Sequence, residues 1–490
     1  MPKRNIIWII AILTASAVTM WLTRSEPGAP SPRGVERFGR LARIAARIER
    51  EYYRALDPEA LNELIEIEGL SGVESLDEFS TYIRPDRVEA FRQRMAGKGR
   101  GLGLRIRQAR TAPPIVTAVS YDSPAYRAGI RPDWRIVRIE GHDAGQFRPS
   151  EIRQMVLQPA PGESVSLTLC TADEEEEKTV TLTSTRFDVE SVTGLYRLRR
   201  DARWARRWAW VLDRSNAIVY VHVREFVGNT VERFDEALRA AGAGQSPRGL
   251  ILDLRGNPGG QRSAAIQLAD MFLSGGLIAR TLERRDDPAN PSHGVRHSAH
   301  SRGTLDDIPV VVLVDQRTAS GAELVAGALW ANHRAVLVGT PTRGKWCAQS
   351  MIELEGGLGM LNLTTSHFVF SRPVAAETPD PDRPPRIRPH QLVRLDPARR
   401  RDLAAARDEA QRPPPPAGTD RPTTAPATDR KDTPLEGLLA CDAQLSRALE
   451  LLTEPEAYTE LLETERLRAR RLAEPGKAPP PEGHRNRGDD

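Results

Sequence analysis

The sequence predicts a multidomain chain of α+β and α/β character: a β-rich domain, then an α/β core, with helical N- and C-terminal segments. Three textures carry that expectation. Residues 35–65 and 435–462 read as helical, the first with charges and aliphatics at helical spacing; residues 101–185 are β-rich and broken by glycine turns. From residue 217, short apolar β-branched runs end in Gly/Pro turns that lead into helix-like stretches.

Length and charge narrow the classes. A chain of 490 residues has room for two or three domains with ordinary cores. Its net charge of +4 comes from 70 basic and 66 acidic residues that are interspersed along the chain, which argues against a nucleic-acid-binding face. Cys170, Cys347 and Cys441 lie far apart in no metal-ligand spacing, so neither a disulfide framework nor a metal site is expected. Lysine is scarce: only Lys3, Lys98, Lys178, Lys345, Lys431 and Lys477 occur, and nearly every other cation is arginine.

In chain order, Lys3 and Arg4 precede an apolar, uncharged run over residues 5–23, about long enough to span a bilayer core. Residues 1–30 are therefore expected to be a membrane anchor or signal peptide with its linker, leaving the rest of the chain extracytoplasmic, on the periplasmic side in a Gram-negative-type cell. Residues 31–98 are expected to be helical, with Leu41, Ile44, Ile48 and Tyr52 on one apolar stripe that packs on the parent domain.

Gly101-Leu102-Gly103-Leu104 opens the β-rich domain, expected over residues 99–186. It is followed by Asp122-Ser123-Pro124-Ala125-Tyr126-Arg127-Ala128-Gly129-Ile130, the turn Asp133-Trp134 and a strand over 135–139. This order resembles a PDZ domain. The resemblance makes Gly101, Leu102, Gly103 and Leu104 the loop that binds a peptide's terminal carboxylate beside a strand edge. It departs at Asp133-Trp134, where Gly-Asp is usual. The acidic run over 173–177 reads as a solvated hairpin tip.

The core, expected over 187–395, begins with a strand at 218–223, a helix at 230–241 and a strand ending in Asp253-Leu254-Arg255-Gly256-Asn257-Pro258-Gly259-Gly260. A helix over 263–273 and a polar, histidine-containing loop over 284–303 follow. Residues 308–314 (IPVVVLV) read as a buried strand and Gly321 onward as a packed helix, which puts Ser320 at a strand-to-helix junction. The first amides of such a helix lack internal partners and point at any oxyanion beside the hydroxyl. Taken alone, the string favours a plain helix N-cap at Ser320. Further strands are expected at 335–338 and 361–370. Residues 396–434 read as a Pro-rich linker, and residues 435–490 as a helical segment with a disordered tail.

A serine nucleophile needs a proton acceptor. His293, His297 and His300 crowd one polar loop, and His142, His222, His333, His367, His390 and His484 are scattered with no Gly-x-Ser-x-Gly to pair with. A lysine can serve if burial leaves it neutral, which arginine essentially never provides. Lys345, between Gly344 and Trp346 in an arginine-biased chain, is the candidate.

The strings LILDLRGNPGG, TASGAELVAGAL and RAVLVGTPTRGK, followed by Gln349, resemble the core of the carboxyl-terminal processing peptidases, or tail-specific proteases. In that family a lysine follows the serine by 25 positions and a glutamine lies four beyond, matching Ser320, Lys345 (345 − 320 = 25) and Gln349. The resemblance implies a ClpP/crotonase-like α/β protease core with Ser320 as nucleophile, Lys345 as base and Gln349 orienting the lysine. It further implies backbone amides of Gly259, Gly260 and Gly321 as the oxyanion hole, no cofactor and no metal. Partners would be proteins or peptides with free C-termini, the membrane through the N-terminal segment and no nucleic acid, with homo-oligomerisation open. Departures are Gly321-Ala322 for Ala-Ser, Glu78 for proline in Leu76-Asp77-Glu78-Phe79-Ser80, and His390 for aspartate in Ile387-Arg388-Pro389-His390. Two rival readings stand beside an endopeptidase: an inactive PDZ scaffold with a degenerate protease fold, and an esterase using the same dyad.

Overall fold

The computed structural model of the protein describes residues 32–107, 113–157, 159–171, 176–198, 207–242, 246–288, 290, 292–300, 305–372, 386–411 and 434–473. They form two compact units, residues 1–85 with 349–365 and residues 86–348 with 366–490. The apolar run at 5–23 and the tail beyond residue 475 lie outside the described residues, among which no helix is long and apolar enough to cross a membrane.

In the first unit the helical segment is two helices, Pro32–Glu51 and Pro58–Glu68, because Asp57 and Pro58 start a new one: Asp57 Oδ1 accepts the Glu59 N–H at 3.0 Å. The stripe of Ile44, Ile48 and Tyr52 packs with Leu61, Ile65, Val73, Ile352, Leu361 and Leu363, so it is core of this unit. Asp77 closes the following turn by accepting from the Phe79 and Ser80 amides, both at 2.7 Å.

The second unit opens with an antiparallel sheet of Leu104–Arg107, Ile115–Val119, Arg135–Ile139, Ser164–Cys170 and Glu177–Thr183, paired in that order, which leaves Leu104–Arg107 at an edge. Leu102, Ile136, Ile139, Leu167 and Leu169 fill its interior. Asp133 adopts φ 69°, the left-handed conformation a glycine would take at that turn and one that aspartate tolerates, so the departure from Gly-Asp leaves the turn in place. Of the acidic tip, residues 173–175 lie outside the described residues.

The core is a parallel sheet. We label its central strands β1 (Ile218–Val223), β2 (Gly249–Asp253), β3 (Val310–Val314) and β4 (Val336–Gly339); they pair in sequence order, all parallel. Helices α1 (Thr230–Ala241), α2 (Arg262–Asp270) and α3 (Gly321–Ala331) lie in the connections. Side chains alternate between the two faces. Val219, Val221, Leu250, Leu252, Val310, Val312 and Leu337 share one core with Phe234, Leu268 and Leu329 of these helices. Ile218, Tyr220, Ile251, Val311, Leu313, Val336 and Val338 face the other way. Both faces are dry, so the strands read as unbroken apolar runs with no alternation visible in the sequence.

The second face is covered from the C-terminal end. Past residue 395 the structure departs from a linker: Pro397–Gln411 is a helix (α4) that buries Leu403 and Ala410, while residues 412–433 lie outside the described residues. The expected single helical segment is three helices, α5 (Pro434–Cys441), α6 (Ala443–Thr453) and α7 (Pro455–Ala473), separated where Asp442 caps α6 and Pro455 opens α7. Leu445, Ala448, Leu451 and Tyr458 pack on the sheet. The polar loop over 284–303 also departs from expectation, since Val295–Ser298 pairs antiparallel with Leu277–Glu283.

Candidate active site

Three loops leave the carboxyl ends of β2, β3 and β4, the end at which parallel sheets place their sites. They are residues 254–260, 315–320 and 340–345. Thr318 joins all three: its Oγ1 donates to the Leu254 carbonyl at 2.9 Å and its own carbonyl accepts the Arg343 N–H at 2.9 Å. Asp315 Oδ1 accepts from the amides of Gly256 (2.9 Å) and Thr318 (3.0 Å), and Ala319 N–H donates to the Asn257 carbonyl at 2.9 Å. The loops are therefore fixed by hydrogen bonds to one another.

Ser320 sits on the elbow between β3 and α3 with φ 53° and ψ −118°. A non-glycine residue in that sparsely populated region is strained, and a sharp strand-to-helix elbow of this kind presents its side chain at the end of the sheet. Gly259, at φ 99°, is packed directly behind it; a Cβ there would lie 2.7 Å from Ser320 Cβ and 2.8 Å from the Gly321 nitrogen. Gly260, at φ 136°, runs against Phe226, and a Cβ would fall 2.0 Å from that residue's carbonyl oxygen. Only glycine lets this turn approach so closely.

The three amides of the expected oxyanion hole are not equivalent. Gly259 N–H donates to Asn257 Oδ1 at 2.8 Å, and Asn257 is held in turn by its Nδ2 to the Val223 carbonyl at 2.9 Å. Around Gly260 the ladder passes the amide over: Phe226 N–H donates to the Gly259 carbonyl and Gln261 N–H to the Phe226 carbonyl. Gly321 opens α3, where a first-turn amide has no intrahelical acceptor. Of the three expected donors, the Gly259 amide is therefore already engaged, and Gly259 serves as the spacer that lets the turn approach Ser320.

Glu323 does more than cap its helix. It is fully buried, and its Oε2 accepts the Ser320 N–H at 2.9 Å while its Oε1 accepts Thr342 Oγ1 and the Gly344 N–H, each at 2.6 Å. The Lys345 amide adds a further hydrogen bond to the same carboxylate. Burial pushes the Glu323 carboxyl up, and these donors oppose the rise. One carboxylate thereby ties the backbone of Ser320 to the backbone of residues 344–345. Beside Lys345, Trp346 stacks on Phe368 at 5.7 Å and meets Phe370 edge-on at 5.2 Å, anchoring the segment.

Gln349 falls in the first unit, where its Nε2 donates to Thr364 Oγ1 at 3.2 Å. In the β-rich domain, the Leu102 and Gly103 carbonyls of the Gly101 to Leu104 loop accept the Ala125 and Ser120 amides at 3.0 and 2.8 Å. A Cβ on Gly103 would collide with Ser123 at 2.0 Å, so the loop is closed against the short helix Pro124–Arg127. Among the described residues no cluster of His, Cys, Asp or Glu could hold a metal ion.

Sequence reasoning passed over Asp253, Arg255 and His222. Asp253 and Arg255 form a buried ion pair at 2.7 Å. His222 Nε2 lies 3.2 Å from the Arg255 carbonyl oxygen; burial, with Arg407 and Arg224 nearby, lowers its pKa to about 4 despite the opposing charge of Asp253. The available signal was two opposite charges placed two apart at the end of an otherwise apolar strand.

Residues 217–381, which span β1 to β4 and all three loops, match the model of peptidase family S41. Through this region the chain is similar to the carboxyl-terminal processing peptidases. A carboxyl-terminal-processing protease of Synechocystis sp. is 32% identical over 292 residues, 58% of this chain and 62% of that protein. The chain thus matches less than two thirds of that relative's length. A carboxy-terminal-processing protease of Bartonella bacilliformis is 26% identical over 74% of this chain and 78% of its own length. Among solved structures, a photosystem II D1 C-terminal processing protease aligns over 72% of this chain and 92% of that chain, at 22% identity and a TM-score of 0.42.

Proposed function

We propose that this protein is a serine endopeptidase of the carboxyl-terminal-processing type, with Ser320 as nucleophile and Lys345 as general base. The observation that carries the reading is the Glu323 clamp, which hangs the strained Ser320 elbow and the Gly344–Lys345 backbone on one carboxylate beside a glycine turn. Ser320 Oγ attacks the scissile carbonyl carbon and its proton passes to the neutral Lys345 amine. Negative charge gathers on the carbonyl oxygen, which the Gly260 and Gly321 amides stabilise. Collapse breaks the C–N bond, the lysine proton leaves with the amine, and water then hydrolyses the acyl-Ser320 ester by the same proton route.

The β-rich domain supplies recognition of the substrate's free C-terminus. Its Leu104–Arg107 edge and the turn before it, Gly101 to Leu104, fit addition of a peptide strand ending in a carboxylate. The apolar run at 5–23 supports an anchor or export signal that places the catalytic part outside the cytoplasm. Turnover of a protein bearing an unstructured C-terminal tail tests the reading. Ser320→Ala and Lys345→Arg are expected to abolish cleavage while folding normally; turnover retained in purified Ser320→Ala overturns it.

A further inference from the structure

Asp253 and Arg255 stand where β2 gives way to the turn beside Ser320. Asp253 is fully buried and Arg255 is 4% exposed. Arg255 turns its guanidinium back on Asp253, with Nε 2.9 Å from Oδ1 and Nη2 2.7 Å from Oδ2. Its remaining donors go to the C-terminal helices. Nη1 donates to Asp442 Oδ1 at 2.8 Å and Gln444 Oε1 at 2.9 Å, and Nη2 donates to Asp442 Oδ2 at 2.9 Å. Arg407 of α4 enters the same cluster, its Nη2 lying 3.0 Å from Asp253 Oδ2 and 3.1 Å from Asp442 Oδ2. Two carboxylates therefore meet two guanidiniums, and the buried charge balances. Burial alone would push both carboxyls up, but the two guanidiniums outweigh it and hold both below the ordinary carboxylate range.

Asp442 is itself immobilised. It caps α6, its Oδ1 accepting the Leu445 N–H at 3.0 Å, and α6 is fixed to the sheet through Leu445, Ala448 and Leu451. Gln444 is held by its Nε2 to the Val393 carbonyl at 2.7 Å. From Arg255 the backbone runs straight into the turn: its N–H donates to Asp253 Oδ1 at 2.9 Å, Gly256 N–H to Asp315, and Gly259 N–H to Asn257, which sets Gly259 against Ser320.

We infer that Asp442, with Arg407 and Gln444, is a positioning residue for the oxyanion turn: the C-terminal helical layer fixes Arg255, and Arg255 fixes residues 256–260 against Ser320. This layer lies beyond residue 381, where the match to the S41 family ends. The inference rests on reading Ser320 as the nucleophile, and makes α4, α5 and α6 part of the catalytic unit.

The test uses the full chain as wild type, Ser320→Ala, Asp442→Asn and Asp442→Asn/Arg407→Gln. It measures steady-state cleavage of a tailed substrate, labelling by a fluorophosphonate, thermal stability, and hydrogen exchange at the Gly256 and Gly259 amides. Asp442→Asn is expected to lower kcat about tenfold or more with KM held within about twofold. Labelling falls in parallel, and exchange accelerates at Gly256 and Gly259 while the strands over 104–183 keep their protection. The double variant restores charge balance, so it recovers thermal stability but not kcat, because Arg255 still lacks the Asp442 carboxylate that ties it to α6. A lower melting temperature with wild-type kcat and unchanged exchange at the turn overturns the inference. If Asp442→Asn does not fold, Gln444→Leu, which leaves every ion pair intact, is read the same way, with kcat expected down about threefold; unchanged kcat and exchange overturn it. Wild type that neither cleaves nor labels, or Ser320→Ala that still cleaves, overturns the peptidase reading instead; the exchange measurement then still decides the coupling.

Discussion

The two faces of the central sheet are equally dry but are covered in different ways. On the near face α1, α2 and α3 lie in the connections between strands, so Phe234, Leu268 and Leu329 arrive where parallel crossovers deliver them. On the far face the cover comes from α6 and α7. The first of these begins at Ala443, 104 residues past the end of β4 at Gly339 (443 − 339). The difference teaches where specificity must be built. A crossover helix is placed by chain geometry, whereas a helix arriving from far along the chain must be registered by its side chains. The cluster of Asp253, Arg255, Arg407 and Asp442 lies on that far side.

Truncations on the two faces sharpen the comparison. Phe234→Ala on the near face is expected to cost about 4 kcal/mol in chemical denaturation, since a fully buried aromatic leaves a cavity its neighbours only partly fill. Leu451→Ala on the far face is expected to cost about 3 kcal/mol. If unfolding by denaturant instead shows Leu451→Ala within about 0.5 kcal/mol of wild type, the far layer is an appendage and the two faces are not alike.

The far face also carries the smaller, pH-dependent effect. His222 titrates near 4 in the folded protein, below its ordinary value, so its neutral form is favoured by folding. Stability from this group is fully present above about pH 6.5, begins to fall as pH drops below that value, and is gone below about 4, with a loss of about 2 kcal/mol by pH 5. Urea unfolding at pH 7 and pH 5 measures it. His222→Gln is expected to reduce the difference by about 2 kcal/mol, leaving the part contributed by His390, which burial also lowers to about 4, and an unaltered difference in that variant contradicts the assignment.

Much of the near face was legible in the sequence. The runs at 218–223 and 308–314 and the turn at 256–260 announce parallel strands and a site at their carboxyl ends, and the spacing of Ser320, Lys345 and Gln349 carries the family likeness. The far face was hidden for a physical reason. Residues 396–411 are rich in arginine and alanine and sit next to a proline run, so they read as linker, yet Leu403 and Ala410 suffice to dock a helix. Unbroken apolar strands did imply a second covering layer, but nothing local named the segment that supplies it. Glu323 stands in the first turn of α3, but its bonds to Thr342 and Gly344 depend on two loops meeting in space.

The central claim is that Ser320 is the nucleophile, and mapping of a covalent adduct tests it most directly. Wild type treated with a fluorophosphonate and analysed by intact and peptide mass spectrometry is expected to carry one adduct, on Ser320, that is absent in Ser320→Ala and slowed in Lys345→Arg. An adduct on another residue, or one that persists in Ser320→Ala, contradicts the account.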